Sequence, residues 1–261
     1  MNLSHRKTTI IRLEEVEKVY GSGNTEVRAL DKIDLIVRSG EYCSIMGASG
    51  SGKSTAMNII GCLDRPSTGR YYLDNIAVAE LPDEQLAEIR NRKIGFVFQQ
   101  FHLLPQISAL ENVMLPMIYA GVAKNERQER AATALEKVGL SDRLYNRPNQ
   151  LSGGQQQRVA IARTLMQEPK LILVDEPVAS LDPQAGKEVM DLLWSIVREQ
   201  KLTVLCTLHQ LEFAVEYGER ILGLRNGKIQ IDTDISKLNP EDLKALYETR
   251  SYKESNLTGL K

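Results

Sequence analysis

Two runs of residues in the chain have the types and spacing that phosphate chemistry needs. The first, Gly47-Ala48-Ser49-Gly50-Ser51-Gly52-Lys53-Ser54-Thr55, fits the pattern G-x-x-x-x-G-K-[ST]. Its glycines let the backbone curl so that successive N–H groups point inward at phosphate oxygens. A helix opening behind them adds its positive N-terminal end. In such a loop Lys53 would reach the β- and γ-phosphates and the Ser54 hydroxyl would ligate Mg²⁺. The second run, Leu171-Ile172-Leu173-Val174-Asp175-Glu176, is four apolar residues ending in two acids. A strand buried on both faces reads this way, and parallel sheets place their ligands at its C-terminal end. Asp175 would hold Mg²⁺ directly or through water, leaving Glu176 free as general base on an attacking water.

A third run, Leu151-Ser152-Gly153-Gly154-Gln155, opens a helix read over 156–167 with Arg158 near its start. Ser152 and the glycines expose backbone N–H groups at a helix start, which makes a second anion site. One chain with two phosphate-binding helix starts suggests that two copies share nucleotide across an interface.

The elements that must position these residues can be read from periodicity. Alternation of apolar and charged residues predicts strands over 10–20 and 30–37. A short apolar strand, 42–46, runs straight into the glycine turn and an apolar helix over 55–63, the arrangement a phosphate site needs. Another strand follows at 69–73, then a polar helix over 83–92 after Pro82 and a short buried strand at 94–98. From about 101 to 168 the pattern is helical. Ser108 and Glu111 form a capping box for a helix from Ala109, an amphipathic helix covers 125–138, and 141–149 is rich in turn residues. Strands return at 171–174, 203–207, 220–224 and 228–231, separated by helices from about 184 and 211. The fold class is therefore α/β, with its core interrupted by a helical insertion of about 70 residues. A short helix over 240–247 and a loose polar tail are expected at the C-terminal end.

Composition narrows the partners. The 261 residues are 42% hydrophobic and 26% charged, an ordinary globular balance, and the net charge of -1 gives no bulk attraction to nucleic acid. No run approaches the roughly 18 consecutive apolar residues needed to cross a bilayer, and residues 1–9 hold no apolar stretch long enough for a signal peptide. If the protein serves a membrane, the expectation is a peripheral subunit. Cys43, Cys62 and Cys206 stand far apart among apolar residues, without C-x-x-C spacing, and read as reduced thiols of the core.

The order of phosphate loop, Gln99, Leu151–Gln155, the 171–176 run, Ser180-Leu181-Asp182 and His209 resembles the ABC ATPase family from about residue 10 to 231. The Leu-Ser-Gly-Gly-Gln run is specific to that family; the phosphate loop is not. The resemblance implies a P-loop NTPase core with an antiparallel β lobe and a helical subdomain at about 100–168. The ATPase domain would span 10–232, with 233–261 holding the short helix and tail. It implies that Tyr20 stacks on adenine and that Gln99 touches Mg²⁺ or the attacking water and senses a membrane partner. Asp182 matches the D-loop aspartate and His209 the switch histidine that contacts the γ-phosphate. Two subunits of this family bind head to tail around two ATP, each pairing its phosphate loop with residues equivalent to Ser152–Gln155 of the other. Hydrolysis then drives an integral membrane permease from its cytoplasmic face.

Within the family the chain points two ways. Residues 46–55, Asn58-Ile59-Ile60-Gly61-Cys62-Leu63-Asp64, 94–98, 109–116 and 148–163 resemble the ATPases of the lipoprotein-releasing and macrolide-export branch. From Asp175 onward it departs: that branch usually has a threonine-glycine pair after the proline, where this chain has Val178-Ala179-Ser180. The stretches 208–214 and 220–224 resemble phosphonate-import ATPases instead. The region after Gln99 docks the membrane subunit in this family, so it reports partner type best, and it is exporter-like. Phosphonate-type import and a soluble, non-transport ABC ATPase are the alternative readings. The single cassette, without coiled-coil or zinc insertions, sets the chain apart from most soluble members.

Overall fold

The computed structural model describes residues 8–247, so the expected tail and the first seven residues lie outside the described residues. Two sheets organise the chain. Strand β1 (Thr9–Tyr20) pairs antiparallel with β2 (Val27–Arg38). In β2, Leu30, Ile33, Leu35 and Val37 are buried between more exposed neighbours, the alternation of a sheet with one covered face. Strand β3 (Tyr42–Met46) is buried at every position and leads into helix α1 (Lys53–Ile60). The chain then returns to the first sheet through β4 (Thr68–Leu73) and β5 (Ile76–Ala77), completing the order β2-β1-β4-β5. This is the antiparallel lobe.

Helix α2 (Asp83–Lys93) precedes β6 (Ile94–Phe98), the edge strand of the second sheet. Three helices follow without an intervening strand: α3 (Ala109–Tyr119), α4 (Lys124–Lys137) and α5 (Gly153–Leu165). Ser108 caps α3 through the reciprocal bonds expected of a capping box with Glu111. Strand β7 (Leu171–Asp175), helix α6 (Pro183–Gln200), strand β8 (Thr203–Thr207) and helix α7 (Leu211–Tyr217) continue the α/β pattern. A hairpin of β9 (Arg220–Arg225) and β10 (Lys228–Asp234) and a last helix, α8 (Pro240–Tyr247), end the described chain. Its turn is Asn226-Gly227, with φ of 51° and 74°, the left-handed pair that a two-residue hairpin needs.

The second sheet has the order β10-β9-β3-β8-β7-β6, parallel throughout except for β10. Its central strands are continuous apolar runs because both faces are covered. On one face Ile45, Leu173 and Leu205 join α1 and the first sheet; on the other Val174, Val204 and Cys206 join α3 to α6.

Helix boundaries differ from the sequence reading in two informative places. Helix α1 begins at Lys53 rather than Thr55, because Gly52 takes φ of 107° and turns the chain into the helix there. It stops at Ile60 rather than Leu63, since Gly61 and the left-handed Cys62 (φ 55°) break it. Helix α5 begins at Gly153 rather than Gln156 and ends at Leu165, because Ser152 and Gln155 form a capping box around its first turn.

Candidate active site

Parallel register brings four strand ends level. Ile45 of β3 lies beside Thr207 of β8, Thr207 beside Asp175 of β7, and Asp175 beside Phe98 of β6. The residues that follow these strands therefore share one edge: the glycine loop, His209, Glu176 and Gln99. Ligands of open α/β sheets sit at this edge.

The loop of Gly47 to Gly52 is shaped by close backbone approach. A Cβ on Gly47 (φ 151°) would lie 2.2 Å from the Leu224 carbonyl oxygen, and one on Gly52 would lie 2.6 Å from that of Ala29. The hairpin turn supports the loop from behind, where the Gly227 N–H donates to the Ser51 carbonyl at 3.0 Å. Ser51 is buried, Ala48 is half-buried, and Ser49, Gly50 and Ser54 are exposed toward solvent. Lys53 is buried, and its Nζ donates to the carbonyls of Gly47 (2.7 Å) and Ala48 (3.0 Å), closing the loop on itself. Burial pulls the Lys53 pKa down, while the negative charges of Glu176 and Asp175 oppose that shift, so the ammonium lies within electrostatic reach of both carboxylates. Tyr20 stands at the end of β1, where burial and Asp64 raise its hydroxyl pKa and the nearby Thr55 works against that rise.

At the end of β7, Glu176 takes φ of 47°, a left-handed conformation that costs a non-glycine residue about 1–2 kcal/mol. Strain of this kind aims a side chain where an extended strand would not. The Glu176 Oε1 lies 2.5 Å from His209 Nε2, with both side chains partly exposed. Asp175 is held by Thr207, whose hydroxyl donates to Oδ1 at 2.6 Å. The same hydroxyl accepts the Glu176 N–H at 3.0 Å. Gln99 Nε2 donates to the Ser180 hydroxyl at 3.4 Å.

The expected residues thus fall into two groups. Lys53, Asp175, Glu176, His209 and Gln99 converge on one edge, with the glycine loop beside them. Ser152, Gly153, Gly154 and Gln155 instead form the first turn of α5. There Ser152 Oγ accepts the Gln155 N–H at 3.3 Å and Gln155 Oε1 accepts the Ser152 N–H at 2.9 Å. Asp182 caps α6 by accepting the Ala185 N–H at 3.0 Å. Among the described residues neither group of caps hydrogen-bonds to the glycine loop.

Sequence reading missed three supporting side chains. Thr207 ends an apolar strand, and only the β7–β8 register shows that it faces Asp175. Gln157, fully buried, donates to the carbonyls of Phe98 (3.2 Å) and Pro177 (2.7 Å), tying the residue before Gln99 to the residue after the acid pair. Its signal was available: it is three residues from Gly154 and from Ala160, on the buried face of α5. Arg163, its pKa lowered by burial, donates to the carbonyls of Phe101 and His102 and fixes the loop after Gln99, where both residues take positive φ.

Beyond this edge, α2 and the C-terminal end of α3 enclose a groove of about 760 Å³, lined by Leu63, Arg90, Phe96, Tyr119 and Gln167 among others. Leu63 and Tyr119 are large apolar residues left half or more exposed.

Residues 30–179 match the family model described as ABC transporter, and that stretch is more than half of the chain. An ABC transporter ATP-binding protein of Bacillus subtilis, YknY, is 54% identical over 84% of this chain and 95% of its own length. The macrolide export ATP-binding/permease protein MacB of Brucella melitensis is 50% identical over 86% of this chain, which spans 34% of that longer protein. Among solved structures, the dimeric post-hydrolysis state of the ATP-binding cassette MJ0796 of Methanocaldococcus jannaschii, bound to ADP and Pi, superposes with a TM-score of 0.79. It is 46% identical and covers 87% of this chain and 99% of that one. The chain belongs to the ABC transporter family, as its ATP-binding, ATP-hydrolysing cassette.

Proposed function

We propose that the chain is the motor subunit of a transporter of the export or lipoprotein-release type, working as a head-to-tail pair on the cytoplasmic face of a membrane. The observation that carries this reading is the placement of Glu176. It lies next to Asp175, against His209, and within electrostatic reach of Lys53, at the edge where the glycine loop opens.

In this reading residues 47–55 hold the triphosphate and Lys53 exchanges its carbonyl partners for phosphate oxygens. Tyr20 stacks on the adenine. Glu176 accepts a proton from the attacking water, and His209 orients the carboxylate and contacts the γ-phosphate. The oxygen donors of Ser54, Asp175 and Gln99 suit a hard divalent ion, and Mg²⁺ held there would neutralise phosphate charge. Ser152–Gln155 and Asp182 face the nucleotide of the second copy. Catalysis is positioning plus electrostatics, and loss of the γ-phosphate loosens the pair. The groove between α2 and α3 receives an integral membrane permease, with the Gln99 loop as the link.

The similarity to MacB favours export. The likeness of 208–224 to phosphonate-import ATPases is the one observation on the side of import. Glu176→Gln is the test. It is expected to bind ATP, to hydrolyse it about 10²–10⁴-fold more slowly, and to elute as a dimer only with ATP and Mg²⁺. Normal hydrolysis by that variant removes the base assignment, and a monomer under all conditions removes the pairing. Detergent co-purification with a four-span protein bearing a large extracytoplasmic domain favours export; a many-span permease favours import.

A further inference from the structure

The segment leaving α1 carries a carboxylate that the reading above does not use. Asp64 follows the left-handed Cys62 and reaches back to the end of β1. Its two oxygens are divided between two partners: Oδ2 accepts the Tyr20 hydroxyl at 2.8 Å, and Oδ1 accepts the Lys18 ammonium at 2.6 Å. Oδ1 also accepts the Arg65 N–H at 2.7 Å, and Lys18 donates a second bond to the Arg65 carbonyl at 2.7 Å. The carboxylate is thus fixed from three sides. Lys18 Nζ in turn lies over the Tyr20 ring, 4.9 Å from its centroid, and covers one face.

We infer that Asp64 is a positioning residue for nucleotide binding, holding the Tyr20 ring as a pre-ordered platform for the base. The inference rests on the assignment of Tyr20 to the adenine. Tyr20 is 42% exposed, and an exposed aromatic at a strand end is otherwise free to turn about two torsions. A bond at the far end of the ring removes that freedom. Lys18 fills one face, so a planar base has the opposite face to stack on. Thr55, inside the helix that follows the glycine loop, lies near enough to the Tyr20 hydroxyl to influence its titration, so the base platform borders the phosphate cradle. Burial by itself would raise the Asp64 pKa; the bonds from Lys18 and Tyr20 outweigh it and hold the carboxyl below its usual range, ionised at neutral pH.

Equilibrium binding of ATP and of inorganic tripolyphosphate to the full chain tests this, because only ATP carries a base. The variants are Tyr20→Ala, Tyr20→Phe, Asp64→Ala and the double variant Tyr20→Phe/Asp64→Ala. Stacking on Tyr20 predicts that Tyr20→Ala weakens ATP about 5- to 150-fold. Positioning by Asp64 predicts that Asp64→Ala and Tyr20→Phe each weaken ATP about three- to tenfold, without weakening tripolyphosphate. It also predicts that the double variant is no worse than the weaker single one. If Tyr20→Ala binds ATP like the wild type, the stacking assignment fails. If Tyr20→Ala loses ATP while Asp64→Ala does not, stacking stands and the Asp64 inference is overturned. Equal weakening of both ligands by Asp64→Ala, or additive effects in the double variant, also overturns it. Should Asp64→Ala not fold, wild-type ATP affinity in Tyr20→Phe overturns it alone.

Discussion

Replacing Thr207 by valine isolates the hydroxyl that joins the two acids. Valine has the same branched shape and puts a methyl where the hydroxyl was, so the fully buried site keeps its outline and loses one donor and one acceptor. That oxygen donates to Asp175 Oδ1 at 2.6 Å and accepts the Glu176 N–H at 3.0 Å. A hydrogen bond to a charged group contributes about 1.5–3 kcal/mol and a neutral one about 1 kcal/mol. Because the Glu176 N–H keeps a second acceptor, the Thr207 carbonyl at 3.3 Å, the sum comes mostly from Asp175 and predicts a loss of about 1.5–3 kcal/mol in unfolding free energy, less whatever water recovers at the partly exposed Asp175. Glu176 is affected beyond this sum. Its left-handed φ of 47° is held partly by that bond, and relaxing it turns the carboxylate away from its place against His209. A displacement of about 1 Å at a reacting group costs on the order of 100-fold in rate, so kcat is expected to fall by about that factor, with a smaller change in KM for ATP. Steady-state ATP hydrolysis and urea unfolding measure the two quantities, and Thr207→Ser, which keeps the hydroxyl, should recover most of both. A valine variant that loses stability yet hydrolyses within twofold of wild type would refute the idea that this bond aims Glu176.

Two further predictions concern stability. Ser152→Ala removes the side-chain half of the capping box on α5 and should lower unfolding free energy by about 0.5–2 kcal/mol; an unchanged urea midpoint would mean the cap contributes nothing. Burial pushes the thiols of Cys43 and Cys206 up to about 12 and that of Cys62 up to about 11. In the unfolded chain they ionise near pH 8.5–9, so above that range the unfolded state binds fewer protons and stability falls as pH rises toward the folded values. Each thiol then contributes a loss of up to about 1.4 kcal/mol per pH unit, absent below pH 8, and Cys→Ala or Cys→Ser variants that flatten an alkaline unfolding curve would identify them. An alkaline limb identical in wild type and variants would exclude the thiols as its cause.

The parts legible in the sequence were those written in consecutive residues. The glycine loop, the run ending in Asp175 and Glu176, and the Ser108 and Glu111 cap are local patterns, and each forms where it was read. Boundaries went wrong where one residue's backbone conformation decided them: Gly52 started α1 early, and Cys62, a residue that seldom takes positive φ, ended it early. Thr207 was invisible because its role depends on register with a strand some thirty residues away. Asp64 was visible only as a family-like residue, because its bonds reach back more than forty residues to the end of β1. Asp182 and Ser152 were expected to contact nucleotide, and their observed bonds inside the chain are helix caps. Both roles suit the same residue, since a helix start holds more N–H groups than one side chain can satisfy.

The capping bonds also connect the two groups of candidate residues within one chain. The capping box takes up the Gln155 N–H and fixes the first turn of α5, where Gly153 and Gly154 lie against the segment around Asp182. A Cβ on Gly153 would come within 2.9 Å of Leu181, and one on Gly154 within 3.4 Å of Ala185. A side chain at Gly153 would have to displace the end of Leu181, whereas Gly154 leaves room for ordinary contact with Ala185. Gln99 reaches the same segment through Ser180, and Gln157 of α5 binds the carbonyls flanking both Gln99 and the acid pair. The first turn of α5, the Ser180-Leu181-Asp182 segment and the Gln99 loop are thus one continuous set of contacts ending at Glu176. In the proposed head-to-tail pair, a shift at the Glu176 edge would reach the first turn of α5, because close-packed contacts transmit displacement instead of absorbing it. In the transporter reading, the same set of contacts runs on through Arg163 and the loop it holds after Gln99. Hydrolysis at one edge of the sheet would therefore be felt at the permease groove without a separate relay.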